Sequence, residues 1–551
     1  MTPLLTVQNL SLTFDAPDGP RPLLRDVSLN LGKSEILGLV GESGSGKSLL
    51  CRTIIGLKPS PNMHITEGDI LLGDTSIPDL PEREMINLRG RRIGMIFQNP
   101  TSHLNPLIRI GDQICEGLRR HRGLSQADAT NEAINLLDQV GFPDPPRNFR
   151  SYAHEFSGGM RQRAMIAIAL ACDPEILIAD EPTTALDVTI QAQILELLVE
   201  LRRKRELSII LITHDLGVVA QTCDRIAVMQ EGRIVETGEK RALLSAPQHP
   251  YTQKMIASHP SFEAKAAGTN APATIHPKPV YQINDLEVRF PGTGGWFRKR
   301  EDFRALAGVS LEIMPGETVG IVGESGSGKS TLARTIMGLT PIASGAVSYD
   351  GDPITATSTL TRVRREVAMV FQDPYNALNP RMTVAETLRE VLLTQGETPK
   401  SGIDARCGEL LDMVGLDRSF LNRRPGSLSG GQCQRVGIAR ALAVNPKVII
   451  ADESVAALDV TIQAQIIDLF RDLSNRLGLT LIFIAHDLAI VRDLCARVVV
   501  MHHGRIVETG PTSEVFANPA QTYTADLIAA IPNIDPDRPL ARGRGQEIKT
   551  A

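Results

Sequence analysis

The 551-residue sequence predicts an α/β fold in which one domain, built around a mainly parallel sheet, occurs twice. Short, continuous apolar runs of strand length indicate parallel strands that are buried on both faces. Each half places such a run directly before a glycine-rich loop and a helical stretch, which is the order of a strand–loop–helix unit. The same motifs recur at a nearly fixed offset, which is the signature of an internal duplication.

The repeat also predicts the domain boundaries. The two glycine-rich loops, LVGESGSGKSLL and IVGESGSGKSTL, are 282 positions apart, whereas the motifs FQNP and FQDP are 274 apart and the motifs after them 272 apart. The second copy is therefore shorter between its loop and those motifs. We predict domains at residues 1–260 and 280–535, a linker at 261–279 that is rich in Ala, Pro, Gly and Thr, and a polar tail at 536–551.

Composition narrows the class of protein. The chain is 42% hydrophobic and 22% charged, which is typical of a globular protein with a sizeable core. A net charge of -5 argues against broad nucleic-acid binding, so we expect no nucleic-acid partner. Seven scattered cysteines without a CxxC pair indicate a reduced, cytosolic protein without a structural zinc site. The N-terminus lacks the basic region of a signal peptide, and no apolar run approaches the ~20 residues of a membrane helix.

The pattern GxxxxGKS, present in both halves, predicts two phosphate-binding loops. Backbone N–H groups of such a loop converge on phosphate oxygens at the N-terminus of the following helix. The lysine would reach the outer phosphates of ATP, and the next serine, Ser48 or Ser330, would be a ligand of Mg²⁺. The predicted binding residues are Gly41, Glu42, Ser43, Gly44, Ser45, Gly46, Lys47, Ser48 and Leu49, with Gly323, Glu324, Ser325, Gly326, Ser327, Gly328, Lys329, Ser330 and Thr331.

An Asp-Glu pair ends an apolar strand in each half, in ILIADE and VIIADE. Asp180 and Asp452 are predicted to hold the Mg²⁺ shell. Glu181 and Glu453 are predicted to polarise the attacking water, because phosphoryl transfer needs an oriented nucleophile and charge neutralisation. An acidic strand end that caps a helix is the alternative interpretation. The Asp-Glu pair follows a phosphate loop in both halves, and this recurrence favours the catalytic interpretation.

Two further pairs of polar residues recur near these strands. His214 and His486 each follow an apolar strand, and we predict that they contact the γ-phosphate. Gln98 and Gln372, in FQNP and FQDP, are predicted to join the network of metal and water. The alternatives are a buried, hydrogen-bonded histidine and a polar turn before a proline.

A Ser-Gly-Gly run opens a predicted helix in both halves, in SGGMRQR and SGGQCQR. Together with the preceding motifs in the same order, it resembles the signature motif of the ATP-binding cassette (ABC) family, and the resemblance covers both halves almost completely. It implies two P-loop NTPase domains, each with a helical subdomain that carries the signature. In that family two cassettes pair head to tail, so the resemblance implies an intramolecular cassette dimer.

The resemblance also assigns residues to two shared ATP sites. The first would combine Lys47 and Glu181 with the second signature, which comprises Ser429, Gly430, Gly431 and Gln432. The second would combine Lys329 and Glu453 with the first signature, which comprises Ser157, Gly158 and Gly159. Asp187 and Asp459 resemble residues that signal between the sites.

Three departures from the family pattern are visible, but none removes a catalytic glutamate, a loop lysine or a signature serine. We therefore predict two hydrolytic sites, which can be unequal. The usual Leu, Gln and Pro are replaced by Phe156, Met160 and Ser454. Phe14 and Phe290 are candidates for stacking on adenine, although either could equally belong to the core.

Residues 246–260, APQHPYTQKMIASHP, resemble the C-terminal segment of ATPases that serve oligopeptide, dipeptide, glutathione and nickel importers. NPAQTYTADLIAAIP, which begins at Asn518, is a degenerate second copy; an ordinary amphipathic helix is the alternative. The resemblance implies an ATPase subunit at the cytoplasmic face of the cell (inner) membrane, with two integral-membrane permeases and a solute-binding protein. ATP binding would close the cassettes and hydrolysis would reopen them. No cysteine lies near the segment, so we expect no iron–sulfur cluster.

Two other twin-cassette classes remain as alternatives. Translation-factor cassettes carry a long, charged helical linker and an Asn-His pair before Leu-Asp, whereas this chain has a short linker of low charge and reads TTALD and VAALD. Excision-repair cassettes carry inserted zinc modules, and no CxxC occurs here.

Overall fold

A computed structural model describes residues 3–184, 186–257, 278–291, 302–396, 398–455, 458, 460–485 and 487–538. Most of the predicted linker, His486, Asp459 and the tail from residue 539 onward lie outside these residues. The described chain groups into two units, one of residues 3–257 with 532–538 and one of residues 278–531. The second grouping ends before the expected boundary at 535, because the segment from Pro532 packs with the first unit.

The first unit begins with strands and ends with two short helices. Its strands are β1 (Leu5–Ala16), β2 (Gly19–Leu31), β3 (Ile36–Val40), β4 (Met63–Leu72), β5 (Thr75–Ser76), β6 (Ile93–Ile96), β7 (Ile176–Asp180), β8 (Ser208–Ile212), β9 (Arg225–Gln230) and β10 (Arg233–Glu239). Its helices are α1 (Lys47–Ile54), α2 (Glu82–Arg91), α3 (Pro100–His103), α4 (Ile110–Arg122), α5 (Gln126–Gln139), α6 (Pro145–Phe149), α7 (Gly158–Leu170), α8 (Val188–Arg205), α9 (Leu216–Thr222), α10 (Lys240–Ser245) and α11 (Pro250–Ala257).

The second unit repeats this order, except that α3 and α6 have no α-helical counterpart. Its strands are β11 (Tyr281–Phe290), β12 (Phe303–Ile313), β13 (Thr318–Val322), β14 (Ser344–Tyr349), β15 (Asp352–Pro353), β16 (Val367–Val370), β17 (Val448–Asp452), β18 (Thr480–Ile484), β19 (Arg497–His502) and β20 (Arg505–Pro511). Its helices are α12 (Lys329–Ile336), α13 (Thr357–Glu366), α14 (Val384–Gln395), α15 (Ile403–Met413), α16 (Gly430–Leu442), α17 (Val460–Leu477), α18 (Leu488–Leu494), α19 (Thr512–Ala517) and α20 (Thr522–Ala529).

The predicted parallel sheet is present in both units. In the first, the strand order is β10-β9-β3-β8-β7-β6, and only the β9–β10 pair is antiparallel. The second repeats it as β16-β17-β18-β13-β19-β20, with β19–β20 antiparallel. Every residue of β3, β7 and β8 is buried, which is why these strands read as uninterrupted apolar runs. The carboxyl ends of the parallel strands meet at one edge, where ligands of such sheets bind.

Each unit also has a four-stranded antiparallel sheet, with the orders β2-β1-β4-β5 and β12-β11-β14-β15. The helical region from α4 to α7 contributes Ile114, Leu118, Leu137 and Ile166 to the same apolar core as the parallel sheet. The predicted helical subdomain is therefore present, with the first signature at the start of α7. Among the described residues, no helix combines the length and hydrophobicity needed to cross a bilayer.

Residues 532–538, which we call the C-terminal strap, pack on α9 of the first unit. A Cβ atom added to Gly217 would lie 2.8 Å from the carbonyl carbon of Pro532, so the helix and the strap are in close contact there. Ile534 packs against the apolar core of the same unit. The first unit is thus built from two separate parts of the chain.

Candidate active sites

The first glycine-rich loop joins β3 to α1 and folds around its own lysine. Nζ of Lys47 donates hydrogen bonds to the carbonyl oxygens of Gly41 and Glu42, at 2.7 and 2.8 Å. Gly46 precedes α1 with a φ of 102°, a conformation that favours glycine. The loop therefore brings its N–H groups, an ammonium group and a helix N-terminus together, which is the arrangement that binds phosphate.

The second loop, between β13 and α12, has the same geometry. Nζ of Lys329 donates to the carbonyl oxygens of Gly323 and Glu324, at 2.8 and 3.0 Å. Gly328 precedes its helix with a φ of 105°. The two loops thus match in structure as well as in sequence.

Each loop serine contacts the aspartate at the end of a neighbouring strand. Ser48 Oγ donates to Asp180 Oδ1 at 2.7 Å, and Ser330 Oγ donates to Asp452 Oδ1 at 3.1 Å. Asp180 Oδ2 is buried without a hydrogen-bond partner in the described structure. Burial raises the pKa of both aspartates, and the adjacent glutamate raises it further. A hydroxyl beside a buried carboxylate oxygen that lacks a partner is a set of oxygen ligands that fits Mg²⁺.

Three side chains converge on the carboxylate of Glu181. Gln98 Nε2 and Thr184 Oγ1 donate to its Oε2 at 2.7 and 2.9 Å, and Nδ1 of His214 lies 3.5 Å from Oε1. Burial by itself would raise the pKa of Glu181, but the bond and charge of His214, with the bonds from Thr184 and Gln98, lower it to about 2. The carboxylate is therefore ionised and oriented at neutral pH.

In the second unit, the structure describes one counterpart of these contacts to the catalytic glutamate. Gln372 Nε2 donates to Glu453 Oε2 at 2.7 Å. Both glutamates have a positive φ, 47° at Glu181 and 46° at Glu453, which is uncommon for a residue other than glycine. Backbone strain of this kind concentrates at functional sites.

The signature serines are helix N-caps. Ser157 Oγ accepts from the N–H of Met160, and Ser429 Oγ accepts from the N–H of Gln432, both at 3.3 Å. Gln432 also accepts from the N–H of Ser429 at 2.9 Å, which completes a capping box. Met160 has no side-chain oxygen and cannot accept the equivalent bond from Ser157. The replacement of Gln by Met therefore removes one half of the capping box in the first signature.

The second signature glycine lies against the helix that follows the Asp-Glu pair. A Cβ atom added to Gly159 would lie 2.6 Å from Cγ2 of Ile190 in α8, and one added to Gly431 would collide with Ile462 in α17. Glycine is therefore required by close packing at this position. Asp187 directly precedes α8 as its N-cap residue.

The two adenine-stacking candidates lie outside the buried core. Phe14 is half-buried in β1, and the side chain of Phe290 in β11 is 42% exposed. Stacking of either ring on adenine stays a prediction.

Sequence reasoning missed three residues at these sites. One is Thr184, and the other two are tyrosines of the C-terminal helices. Tyr251 Oη accepts a hydrogen bond from the N–H of Glu42 at 2.9 Å, and Tyr523 Oη accepts one from the N–H of Glu324 at 3.1 Å. The recurrence of the tyrosines 272 positions apart was a signal that could have identified them.

Comparison with protein-family models gives two matches in each half. A model described as "ABC transporter" matches residues 24–184 and 306–456. A model described as "Oligopeptide/dipeptide transporter, C-terminal region" matches residues 235–285 and 507–551.

Curated relatives match nearly the whole chain. The glutathione import ATP-binding protein GsiA of Escherichia coli strain K12 is 42% identical over 563 residues, which cover 97% of this chain and 90% of that protein. Its counterpart from Salmonella typhimurium strain LT2 gives the same values. A solved dimeric ATP-binding cassette in a post-hydrolysis state with ADP and Pi is 33% identical, covers 42% of this chain and 98% of that chain, and has a TM-score of 0.38. The chain belongs to the ABC transporter family, as an ATPase with two fused cassettes from its oligopeptide/dipeptide branch.

Proposed function

We propose that this ATPase energises the import of glutathione, oligopeptides or similar small solutes. The observation that carries the proposal is that each half joins a complete hydrolytic motif set to a match for the C-terminal region of oligopeptide transporters. Full-length similarity to glutathione import ATP-binding proteins supports the same assignment. The alternative of a twin-cassette translation ATPase has no support among these matches.

In the proposed reaction, the loop lysines bind the outer phosphates of ATP. Lys47 and Lys329 then exchange their bonds to loop carbonyl oxygens for bonds to phosphate oxygens. A Mg²⁺ ion would be held by Ser48, Asp180 and Gln98 in one site and by Ser330, Asp452 and Gln372 in the other, and it would neutralise phosphate charge.

Glu181 and Glu453 orient the attacking water. A carboxylate with a pKa of about 2, as at Glu181, is a weak base, so its contribution is to accept a hydrogen bond from the water and aim the lone pair at the γ-phosphorus. Gln98 and His214 hold this carboxylate in place. His486 is proposed to do the same in the second site, together with Gln372.

We further propose that each site is completed by the signature of the other cassette. Ser429, Gly430, Gly431 and Gln432 would close on ATP at Lys47, and Ser157, Gly158 and Gly159 on ATP at Lys329. Asp187 and Asp459 would signal between the sites. ATP binding would close the pair, hydrolysis would reopen it, and residues 261–279 would be the linker that permits this motion.

The proposed partners are two integral-membrane permeases and a solute-binding protein, with this chain peripheral at the cytoplasmic face of the inner membrane. Gentle detergent purification of the tagged chain, followed by mass spectrometry, tests this assembly. We expect two multi-span membrane proteins. Ribosomal proteins without a membrane partner would contradict the importer assignment.

Substitution of the two glutamates tests the site assignment. We expect the Glu181→Gln/Glu453→Gln variant to bind ATP but to lose at least about 100-fold in hydrolysis, because the water loses its charged acceptor. Lys47→Ala/Lys329→Ala is the matched variant that we expect to lose ATP binding. Hydrolysis that survives in the glutamate variant would contradict the assignment.

A further inference from the structure

The C-terminal helix of each cassette touches the phosphate loop. Tyr251 in α11 accepts a hydrogen bond from the N–H of Glu42, the second residue of the first loop. Tyr523 in α20 does the same with Glu324 in the second loop. Both helices lie in the regions that match the oligopeptide/dipeptide transporter C-terminal model. The region that distinguishes this branch therefore reaches the predicted ATP sites.

A glutamate on the edge strand of the parallel sheet anchors each of these helices. The carboxylate of Glu236 in β10 accepts hydrogen bonds from the N–H groups of Gln248 and His249, at 2.8 and 3.1 Å. Burial alone would raise the pKa of Glu236, but these N–H groups lower it, so it remains an ionised acceptor. The helix that carries Tyr251 is thus anchored to the same sheet that carries the phosphate loop.

The second cassette repeats the anchor and adds a ring contact. Glu508 in β20 accepts from the N–H groups of Ala520 and Gln521, at 2.7 and 3.1 Å. The ring of His502 in β19 stacks on Tyr523 with centroids 3.9 Å apart and planes 4° apart. Gln230 stands at the matching sequence position of the first cassette, so this stack is specific to the second. The bond to the loop is nevertheless present in both.

The tyrosine and the loop lysine hold the same short stretch of backbone. Glu42 donates its N–H to Tyr251, while its carbonyl oxygen accepts from Nζ of Lys47. In the proposed reaction the lysine leaves this carbonyl for the phosphates of ATP. The bond to the tyrosine hydroxyl does not involve the lysine, so it can still hold the start of the loop in its phosphate-binding shape.

We propose that Tyr251 and Tyr523 are positioning residues that preorganise the phosphate loops for ATP, so that each C-terminal helix sets the affinity of its own nucleotide site. This inference rests on the proposed nucleotide role of the two loops. The tyrosines act through Glu42 and Glu324 and contact no reacting atom. Their removal changes ATP binding more than the chemical step.

The test is the Tyr251→Phe/Tyr523→Phe variant, which keeps both rings and removes only the hydroxyls. We expect the KM for ATP to rise about fivefold with little change in kcat, since one net hydrogen bond is of that order. The dissociation constant of Mg-ATP, measured in the Glu181→Gln/Glu453→Gln background, should rise by the same factor. Amide hydrogen exchange at Glu42 and Glu324 should accelerate, which reports the lost bond even if stability also falls.

Tyr349→Phe is the control, because it removes a hydroxyl that donates to Glu366 at 2.8 Å, away from either loop. We expect it to lower Tm without a change in KM. An unchanged KM and dissociation constant in the double tyrosine variant, in a chain that binds ATP, would overturn the inference but leave the proposed function intact. A wild-type chain that binds no ATP would overturn both.

Discussion

Thr184 donates a 2.9 Å hydrogen bond from Oγ1 to Oε2 of Glu181, the same oxygen that accepts from Gln98. The matching position of the second cassette holds Ala456, which has no hydroxyl to offer. A threonine hydroxyl at this position is therefore specific to the first cassette. This difference lies directly at the predicted water-orienting residue, so it bears on the equality of the two sites.

Replacement of Thr184 by alanine should make the first site resemble the second. We expect Thr184→Ala to lower kcat about two- to tenfold, the value of one net hydrogen bond, with no change in the KM for ATP. The KM is unaffected because this threonine contacts the carboxylate and not the phosphate loop. Steady-state ATP hydrolysis checks this. The control is Thr130→Ala, which removes an exposed hydroxyl bonded within α5; equal kcat values for the two variants would contradict the role of Thr184.

The contact between His214 and Glu181 should make stability depend on pH. Burial by itself lowers the pKa of His214, but the hydrogen bond and charge of Glu181 raise it above the ordinary 6.5. A raised pKa in the folded state contributes stability that is fully present below the unfolded value and is lost as the pH rises through the folded value. Without nucleotide, the Tm of the wild type should therefore fall relative to that of His214→Gln as the pH rises above 6.5.

Thermal melts of the two proteins across this pH window give the measurement. The comparison with His214→Gln cancels the other titrating groups, which both proteins share. A Tm difference that stays constant from below pH 6.5 to well above it would show that His214 does not titrate with the expected shift.

Two glycines of α16 should respond to alanine with opposite sign. A Cβ atom at Gly431 would collide with Ile462, so we expect Gly431→Ala to cost about 1–3 kcal/mol of stability and to impair ATP hydrolysis. A Cβ atom at Gly437 would meet nothing within 4 Å, so Gly437→Ala should stabilise the helix by up to about 1 kcal/mol. Denaturant unfolding measures both changes. Similar effects of the two substitutions would contradict the close packing at Gly431.

The C-terminal strap makes a further prediction at Gly217. Alanine stabilises a helix by about 1 kcal/mol relative to glycine. Gly217→Ala would therefore stabilise the protein if the strap did not pack on α9. In the observed packing the new Cβ would press on Pro532, and we expect lower stability and faster hydrogen exchange in residues 532–538. The second cassette has Ala489 at the matching position, which makes Ala489→Gly the reciprocal control. A gain in stability on Gly217→Ala would show that the strap is not docked there.

The elements predicted correctly from the sequence are those that neighbouring residues in the chain determine. The apolar runs of β3, β7 and β8 are continuous because both faces of the parallel sheet are covered, and the loop motif specifies its own backbone through Gly46. Ser48 and Asp180, which the sequence assigns to one Mg²⁺ shell, lie 2.7 Å apart at the edge where the parallel strands end.

The elements that the sequence did not reveal depend on long-range packing. Tyr251 and Glu42 are 209 positions apart, and nothing in the local pattern distinguishes a loop-binding tyrosine from a core one. The antiparallel sheets have register shifts in β1 and β11, which obscure the two-residue alternation that marks such strands. The strap follows α20 in the chain but packs on α9 near Gly217, and no local sequence pattern marks that contact.

The central claim, that one chain contains a complete pair of ATP sites, is tested most directly by ATP stoichiometry and mass. We expect the Glu181→Gln/Glu453→Gln variant to retain ATP with little turnover, so binding and light scattering can be measured on the same sample. We predict two ATP molecules bound per chain, and a mass of 59.8 kDa with and without ATP. One ATP per chain, or a doubling of the mass when ATP is added, would contradict the claim and would indicate that cassettes pair between chains.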